Sequence, residues 1–381
     1  MRIIVIGAAP TGLGVAYRLY QLQNNNIDIA KNVELIVLEK ELSPGGLSRT
    51  VMDENGFFWD MGGHVTFDHN LPYYKEAICW AINEWNILTR SCQVDISYMF
   101  NEKGLHLVPY PVQYAVPMFP ASIKAKCLED LRDRRRKSAA KRIPPKNFND
   151  WIDEHFGPTL SNYFFKQYTR KVWTVRPDQM NPVWIGTRVA MIPYEKLEEF
   201  CAMNEEDLKE IDLGWGPNAR FMFPKRYGTG SIWKSMTNKL PSQWFHFGCK
   251  VINIDAKRKT IMYENERYGK VFVIGVGLIK PMSRVAEQFT WLYFPENTVP
   301  FYRVTFLSRY GEMTPDNDKY WSVLCECAYD INDNSISEEE IKEKTIKCLI
   351  RKSIILREQI VSLFSTLLPY GYPIPTVNVK R

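Results

Sequence analysis

The run Gly7-Ala8-Ala9-Pro10-Thr11-Gly12 is the first stretch whose residue types and spacing could do chemistry. Glycines at its two ends let the backbone approach a pyrophosphate closely. A helix opening at Pro10–Thr11 would turn unpaired N–H groups and a positive dipole end toward the anion. The middle position of the G-x-G-x-x-G pattern is Ala9, one methyl where clearance matters most. Glu39 ends the following β run, where dinucleotide folds place a carboxylate on a ribose hydroxyl, and the polar loop Asn24–Asp28 lengthens the spacing. The alternative is a plain strand–turn–helix with no ligand. Two further glycine pairs follow, in Pro44-Gly45-Gly46-Leu47-Ser48-Arg49-Thr50 and in Asp60-Met61-Gly62-Gly63-His64. Adjacent glycines can bring backbone against a flat or charged ligand, and simple turns are the alternative. No pair of carboxylates stands out as general acid and base. Eight cysteines without a C-x-x-C spacing and five scattered histidines argue against a metal site and for reduced thiols in the cytosol.

The elements that must position these loops read from the start as strand, turn, helix, strand. Arg2–Gly7 is a continuous β-branched run, Thr11–Gln23 has Leu13, Ala16 and Leu19 at helical spacing, and Val33–Glu39 is a second β run, so a parallel βαβ unit is expected. The texture from about 70 to 210 is helical and rich in Trp and Tyr. It includes Asn149–Gly157, with Asn149 as N-cap and Gly157 as stop. Residues 215–330 are strand-rich, at Arg220–Pro224, Lys250–Ile254, Lys270–Val276, Phe301–Ser308 and Trp321–Cys327. Ser337 and Glu340 have capping-box spacing and open a helix running to about Arg357.

The chain has 381 residues, with 45% hydrophobic and 24% charged, which is ordinary for a globular protein of two or three domains of roughly 150 residues. The net charge of +6 sits in one place: Lys124–Lys146 holds ten basic and three acidic residues, a surplus of +7 that leaves −1 for the rest. A solvated helix face explains Arg132–Lys137, and nucleic acid is not an expected partner. Residues 3–9 are too short an apolar run for a signal peptide, and no stretch of about 18 apolar residues could span a membrane. A cytoplasmic protein is expected, without a membrane partner and with room for a homo-oligomer.

The loop, the Gly-Gly-Leu segment and Gly-Gly-His, in this order, resemble the flavoprotein UDP-galactopyranose mutase family of eukaryotic type. Further segments match collinearly over essentially the whole chain: Val108-Pro-Tyr-Pro111, Lys171-Val-Trp173, Ile185–Ala190, Trp215-Gly-Pro-Asn218, Gly228-Thr-Gly230, Trp291–Pro295, Phe301-Tyr-Arg303 and Gly371-Tyr-Pro373. The resemblance implies an α/β chain (α+β overall), with an FAD-binding Rossmann-like domain, an inserted helical domain and an antiparallel sheet domain. The implied boundaries are 1–70 for the first part of the FAD domain and 71–210 for a mainly helical substrate domain with some sheet. Residues 211–276 return to a shortened FAD domain, and 277–381 form the antiparallel substrate sheet plus a helix. The implied reaction interconverts UDP-galactopyranose and UDP-galactofuranose, with N5 of reduced FAD as nucleophile on the anomeric carbon and UDP as leaving group. NAD(P)H is the implied external reductant and UDP-galactose the small-molecule partner.

Residue by residue, the resemblance places Gly7, Pro10, Thr11, Gly12, Glu39, Gly45, Gly46, Leu47, Ser48, Gly62, Gly63, His64 and Val251 at the FAD. His64, Arg188 and Arg303 are the implied catalytic residues, the two arginines as bidentate diphosphate clamps. Tyr110, Gln113, Trp173, Asn218, Trp291, Tyr293, Tyr310 and Tyr372 would line the uridine, diphosphate and sugar pocket, where aromatic planes suit uracil and the apolar face of a sugar. The sequence departs from the family at four places. They are Ala9; Thr169, in place of a sugar-contacting asparagine; Val112, in place of an aromatic on the uracil (about 1 kcal/mol of stacking); and the stretches after Thr260–Tyr263 and after Thr376, which are short. A sheet missing its closing strand exposes an apolar edge and uncovers the flavin. The expectation is therefore weak FAD retention and low activity. Two alternatives stand beside the mutase: an inactive mutase-like remnant that binds a nucleotide sugar, and an amine-oxidase-type flavin oxidoreductase.

Overall fold

The computed structural model describes residues 1–67, 71–101, 104–137, 144–185, 189–204, 207–208, 220–249, 251, 268–330 and 336–373, with 135–137, 268–270 and 369–373 as backbone. The expected βαβ unit is present. Strand β1 (Arg2–Ile6) pairs in parallel with β2 (Glu34–Leu38), and the helix Pro10–Asn24 joins them. Leu13, Ala16, Tyr17 and Leu19 of that helix are buried against Leu35 and Val37. Two short antiparallel pairs, the hairpin of β3 (Thr50–Met52) with β4 (Phe58–Asp60) and the long-range pair of β5 (Trp85–Thr89) with β8 (Arg220–Pro224), link this unit to the rest. The three-stranded parallel sheet is completed by β9 (Phe245–His246), in the order β1-β2-β9. Among the described residues that order leaves β1 at an edge, and Ile4 is 57% and Ile6 52% exposed.

The larger sheet has seven strands in the order β14-β10-β13-β12-β11-β6-β7. Its members are β6 (Cys92–Asp95), β7 (Leu107–Pro109), β10 (Tyr268–Ile279), β11 (Trp291–Tyr293), β12 (Arg303–Thr305), β13 (Tyr320–Asp330) and β14 (Ile360–Pro373). Two points correct the sequence reading. The sheet is mixed, because β11 pairs in parallel with β6. Strand β10 also crosses the boundary drawn at 276/277, so residues 268–276 stand in this sheet between β13 and β14. A continuous apolar run reads alike for a central strand of either sheet, so periodicity could not correct the boundary that the resemblance implied.

Side chains alternate across the sheet. Leu292, Val304, Cys325 and Ile274 point into one core with Ile341 and Leu349 of the helix Glu338–Arg351. That helix carries the expected capping box between Ser337 and Glu340, but it ends at Arg351 and a separate short turn covers Arg357–Gln359. The opposite face of the sheet carries Trp291, Tyr293, Arg303, Glu326 and Thr305. Two helices, Ala121–Lys137 and Phe148–Leu160, build a third core with Val94, Val108, Val112 and Phe119. The N-cap of the second helix is Asn147, whose side chain accepts from Asp150 N–H, rather than Asn149. Gly157 sits at φ 77° as a kink rather than the stop. Arg132 of the basic run reaches Glu198 at 2.8 Å and Tyr194 Oη at 2.8 Å across a solvated face. The Lys250–Ile254 strand is outside the described residues, apart from Val251. Among the described residues no helix is long and apolar enough to cross a membrane, and no group of three or more His, Cys, Asp or Glu could hold a metal.

Candidate functional site

The phosphate loop is built by two glycines with different tasks. Gly7 leaves β1 at φ 92°, which an L side chain rarely adopts, and its N–H donates to Leu38 O at 2.7 Å. Gly12 is needed for clearance, because a Cβ there would lie 2.1 Å from Gly7 O. Pro10 opens the helix, and Leu13 N–H is bonded to Ala9 O at 3.0 Å, so the preceding first-turn amides face outward with exposed Thr11. The carboxylate of buried Glu39 accepts Ala8 N–H at 2.7 Å and Glu41 N–H at 2.9 Å. Glu39 thus fixes the loop, and each oxygen keeps a second lone pair for a ribose hydroxyl.

The second glycine pair packs directly on the first loop. Gly45 N–H donates to Ala8 O at 2.9 Å, and a Cβ on Gly46 would come 2.9 Å from the Ala9 methyl. The alanine in the phosphate loop is therefore accommodated by the missing side chain of Gly46. Leu47 is 44% exposed on the short turn Gly46–Ser48. Gly248 and Cys249 N–H groups bond Glu41 O and Glu39 O at 3.0 and 2.7 Å, and Cys249 stands two residues before half-buried Val251 in the chain.

Gly62-Gly63-His64 is anchored from behind by Asp60. This carboxylate is fully buried and accepts Thr50 Oγ1, Thr229 N–H (3.0 Å) and Thr229 Oγ1 (2.9 Å). Gly228 and Gly230 are required around it, because a Cβ on either would sit 2.6 Å from Asp60 Oδ1 or 2.3 Å from Thr50 N. Burial pushes the Asp60 carboxyl up to about 7, against the lowering effect of these hydrogen bonds. In front, Gly62 and Gly63 lie against the sheet. A Cβ on Gly62 would meet Glu326 Oε1 at 3.1 Å, and one on Gly63 would meet Thr305 Oγ1 at 2.7 Å and the Arg303 guanidinium at 3.2 Å. Burial holds the His64 imidazole below its usual pKa, with Glu326 opposing and Arg303 reinforcing that shift, so the ring is neutral at pH 7.

Sheet register assembles the rest. Tyr293 stands opposite Arg303, and Arg303 opposite Glu326, so three adjacent strands place these side chains in one row. Arg303 Nε donates to Glu326 Oε2 at 2.5 Å and Nη2 to Oε1 at 2.9 Å, and Tyr302 Oη adds a donor at 3.1 Å. The two side chains are 18% and 4% exposed. Burial alone would raise the Glu326 carboxyl. The charge and hydrogen bonds of Arg303 hold it below its usual value instead, so the pair is ionic. The neighbouring row holds Trp291, Thr305 and Leu324. Tyr110 packs 5.2 Å from Tyr293, Arg90 lies 5.5 Å over the Tyr110 ring, and Tyr168 meets Tyr293 edge-on at 5.9 Å. Burial raises the hydroxyls of Tyr110 and Tyr293, so both are neutral donors.

Most of the expected pocket residues therefore converge, but with different exposure. Tyr110, Trp173 and Tyr293 are partly buried, whereas Gln113, Trp291 and Tyr310 are buried. Tyr310 packs in the core between Phe221, Phe223 and Trp291, where burial drives its hydroxyl pKa well up. The Gln113 amide donates to Ala190 O and Tyr114 Oη to Met191 O (2.9 Å), so this turn holds the segment just after Arg188. Val112 is fully packed at 1% exposure, and Thr169 is buried on the helix Lys166–Trp173. Tyr372 pairs with Gly269 near the end of β14, and its side chain is outside the described structure. Arg188 and Asn218 are also outside the described residues. Glu326, Arg90 and Asp60 were given no site role from the sequence. A lone acid inside the apolar strand Trp321–Ala328 was the signal for Glu326.

The model of the flavin-containing amine oxidoreductase family matches residues 10–268. The chain belongs to that family. The crystal structure of reduced UDP-galactopyranose mutase is 31% identical, with a TM-score of 0.85, covering 98% of this chain and 83% of that one. An oxidoreductase from Methanosarcina mazei (13% identical, TM-score 0.63, 98% and 90% covered) and putrescine oxidase bound to putrescine (12%, 0.53, 96% and 84%) share the fold. The cofactor of this flavin-containing family is FAD, and the residues fit it. The tight turn Gly7–Gly12, whose closure a Cβ on Gly12 would prevent, and Glu39, which accepts Ala8 N–H, are the groups that would hold the diphosphate and ribose. Gly45, Gly46, Gly62 and Gly63 are the bare backbone that the ring system would meet. His64 Nδ1 and Thr305 Oγ1 are buried beside Gly63 with no hydrogen-bond partner among the described residues.

Proposed function

We propose that the chain interconverts UDP-galactopyranose and UDP-galactofuranose. The observation that carries this reading is the Arg303–Glu326 pair in a row with Tyr293, set directly against Gly62–Gly63 where an FAD ring would lie. An oxidase of small amines has no diphosphate to clamp, whereas a nucleotide-sugar enzyme must hold one while the sugar reacts. The 31% identity to a solved mutase over nearly the whole chain supports the same choice.

When bound in reduced form, FAD supplies the nucleophilic chemistry at the anomeric carbon. The protein residues hold, orient and shield. Glu326 takes two of the five N–H donors of Arg303 and fixes the guanidinium plane that a diphosphate oxygen meets. Arg188 is the second clamp in this reading; Gln113 and Tyr114 secure Ala190 and Met191, which follow it in the chain. Tyr110 and Tyr293 donate their neutral hydroxyls, and their rings with Trp173 exclude water from the sugar. Neutral His64 presents Nδ1 as donor or acceptor beside Gly63 without adding charge to the flavin side. Eight free cysteines suit a reducing cytosol.

The test is equilibrium dialysis of UDP against the FAD-loaded protein and against Arg303→Ala. Saturable binding that weakens at least tenfold in the variant supports the reading. Oxidation of an amine with no UDP uptake would replace it with the oxidase alternative, which the family match alone would also permit.

A further inference from the structure

We propose that Lys171 is a positioning residue that fixes the separation of the two aromatic walls of the pocket, Trp173 on one side and Trp291–Tyr293 on the other. The inference rests on the nucleotide-sugar reading above. Lys171 lies in the last turn of the helix Lys166–Trp173, two residues before Trp173, and Thr174 ends that helix in a left-handed conformation at φ 61°. Its Nζ leaves the helix and donates to Phe294 O and to Glu296 O, each at 2.6 Å. These carbonyls follow immediately on β11, which carries Trp291 and Tyr293. One nitrogen therefore joins the helix to the strand end and also holds the turn of the chain between 294 and 296.

The helix and strand meet on the pocket side as well, where Tyr168 packs edge-on against Tyr293. The clamp and this ring contact lie on the same two elements, so loosening one would displace the other. The titratable groups that face the ammonium are Cys327, Glu296, Cys348 and Lys352, from β13, the 294–300 loop and the helix Glu338–Arg351 with its C-cap. Lys352 does not compete for the same carbonyls, since it is held by Asp95, Ser97, Gly104 O and the Glu296 carboxylate at 2.8–3.3 Å. Burial pushes the Lys171 amine down to about 7. An apolar side chain would occupy this place without that penalty, so what the lysine contributes is its two donated bonds. A neutral amine has two N–H donors, matching the two carbonyls, so the clamp survives loss of the proton.

The experiment compares FAD-loaded wild type with Lys171→Met and Lys171→Arg by UDP dialysis, steady-state turnover and peptide-level hydrogen exchange. The proposal expects Lys171→Met to weaken UDP binding and raise KM at least tenfold while kcat changes less than threefold. Exchange should rise in peptides covering 166–173 and 291–296 and stay unchanged over β1 and β2, and Lys171→Arg should recover most of the affinity. Wild-type UDP affinity and unchanged exchange in Lys171→Met would overturn it. If wild type itself takes up no UDP, the nucleotide-sugar reading fails, and the exchange pattern alone then decides whether Lys171 clamps these walls. Should Lys171→Met not fold, Lys171→Gln, which keeps a donor but not the reach, gives the same readouts.

Discussion

Replacing Glu326 by Gln isolates the electrostatic part of the site. The carboxylate receives three donors, Arg303 Nε, Arg303 Nη2 and Tyr302 Oη, and is 4% exposed. Glutamine keeps the shape and one carbonyl oxygen, but it turns an NH2 group toward donors and leaves Arg303 uncompensated. Breaking a buried pair in this way costs about 3–5 kcal/mol. One retained hydrogen bond to a charged group returns roughly 1.5–3 kcal/mol of that, and 18% exposure of Arg303 lets water screen a little more. A net loss of about 1–2 kcal/mol is expected in urea unfolding followed by near-UV circular dichroism. The loss should be largest at neutral pH and shrink on acidification, because the lowered Glu326 pKa gives stability that is present above the unfolded carboxylate range and lost as pH falls through the folded value. Saturating UDP should narrow the gap between variant and wild type by at least about 1 kcal/mol, since its diphosphate supplies the missing anion to Arg303. A variant within about 0.5 kcal/mol of wild type, the range of ordinary surface substitutions, would refute the claim that this pair is buried and ionic.

Three other perturbations probe the supporting structure. Gly12→Ala places a Cβ 2.1 Å from Gly7 O, so the helix must move off the loop. Flavin absorbance after gel filtration should drop at least tenfold while the sheet domain remains folded. Asp60 has its folded pKa raised to about 7, so its contribution weakens the fold progressively as pH rises from about 4 to 7, by at most about 4 kcal/mol. Thermal melting from pH 5 to 8 should be flatter for Asp60→Asn than for wild type, and parallel pH profiles would contradict the burial assigned to it. Gly275→Ala drives a methyl to 2.6–2.9 Å of the Trp59 ring, and overpacking of about 1–3 kcal/mol should appear in urea midpoints.

Local pattern carried the loops better than the sheet. The Gly7–Gly12 turn, Glu39 and the glycine pairs declare themselves because backbone clearance and positive φ restrict residue type at single positions. The Ser337–Glu340 capping box is legible for the same reason, since it is one turn long. The Tyr293–Arg303–Glu326 row was not legible, because register across three strands is set by two separate pairings, Tyr293 with Arg303 and Arg303 with Glu326, each between residues distant in sequence. Arg303 alone pointed only outward to a ligand; its inward partner lay in a strand read simply as apolar. The assignment of 268–276 to the flavin domain failed because a strand flanked by β13 and β14 is apolar on both faces, as a central parallel strand would be. Tyr310 matched a pocket position by order in the chain, yet three aromatic neighbours close over it. The stretches behind the expected exposed apolar edge, after Tyr263 and after Thr376, lie outside the described residues.

Turnover of the sugar decides whether the protein is a mutase. Photoreduced, FAD-loaded protein is incubated with UDP-galactofuranose and the products are separated by chromatography. The expected product is UDP-galactopyranose from reduced protein, with none from oxidised protein and at least a hundredfold loss in Arg303→Ala. Unchanged UDP-galactofuranose, with UDP still retained by the protein, would contradict the assigned activity and leave a nucleotide-sugar-binding flavoprotein fold.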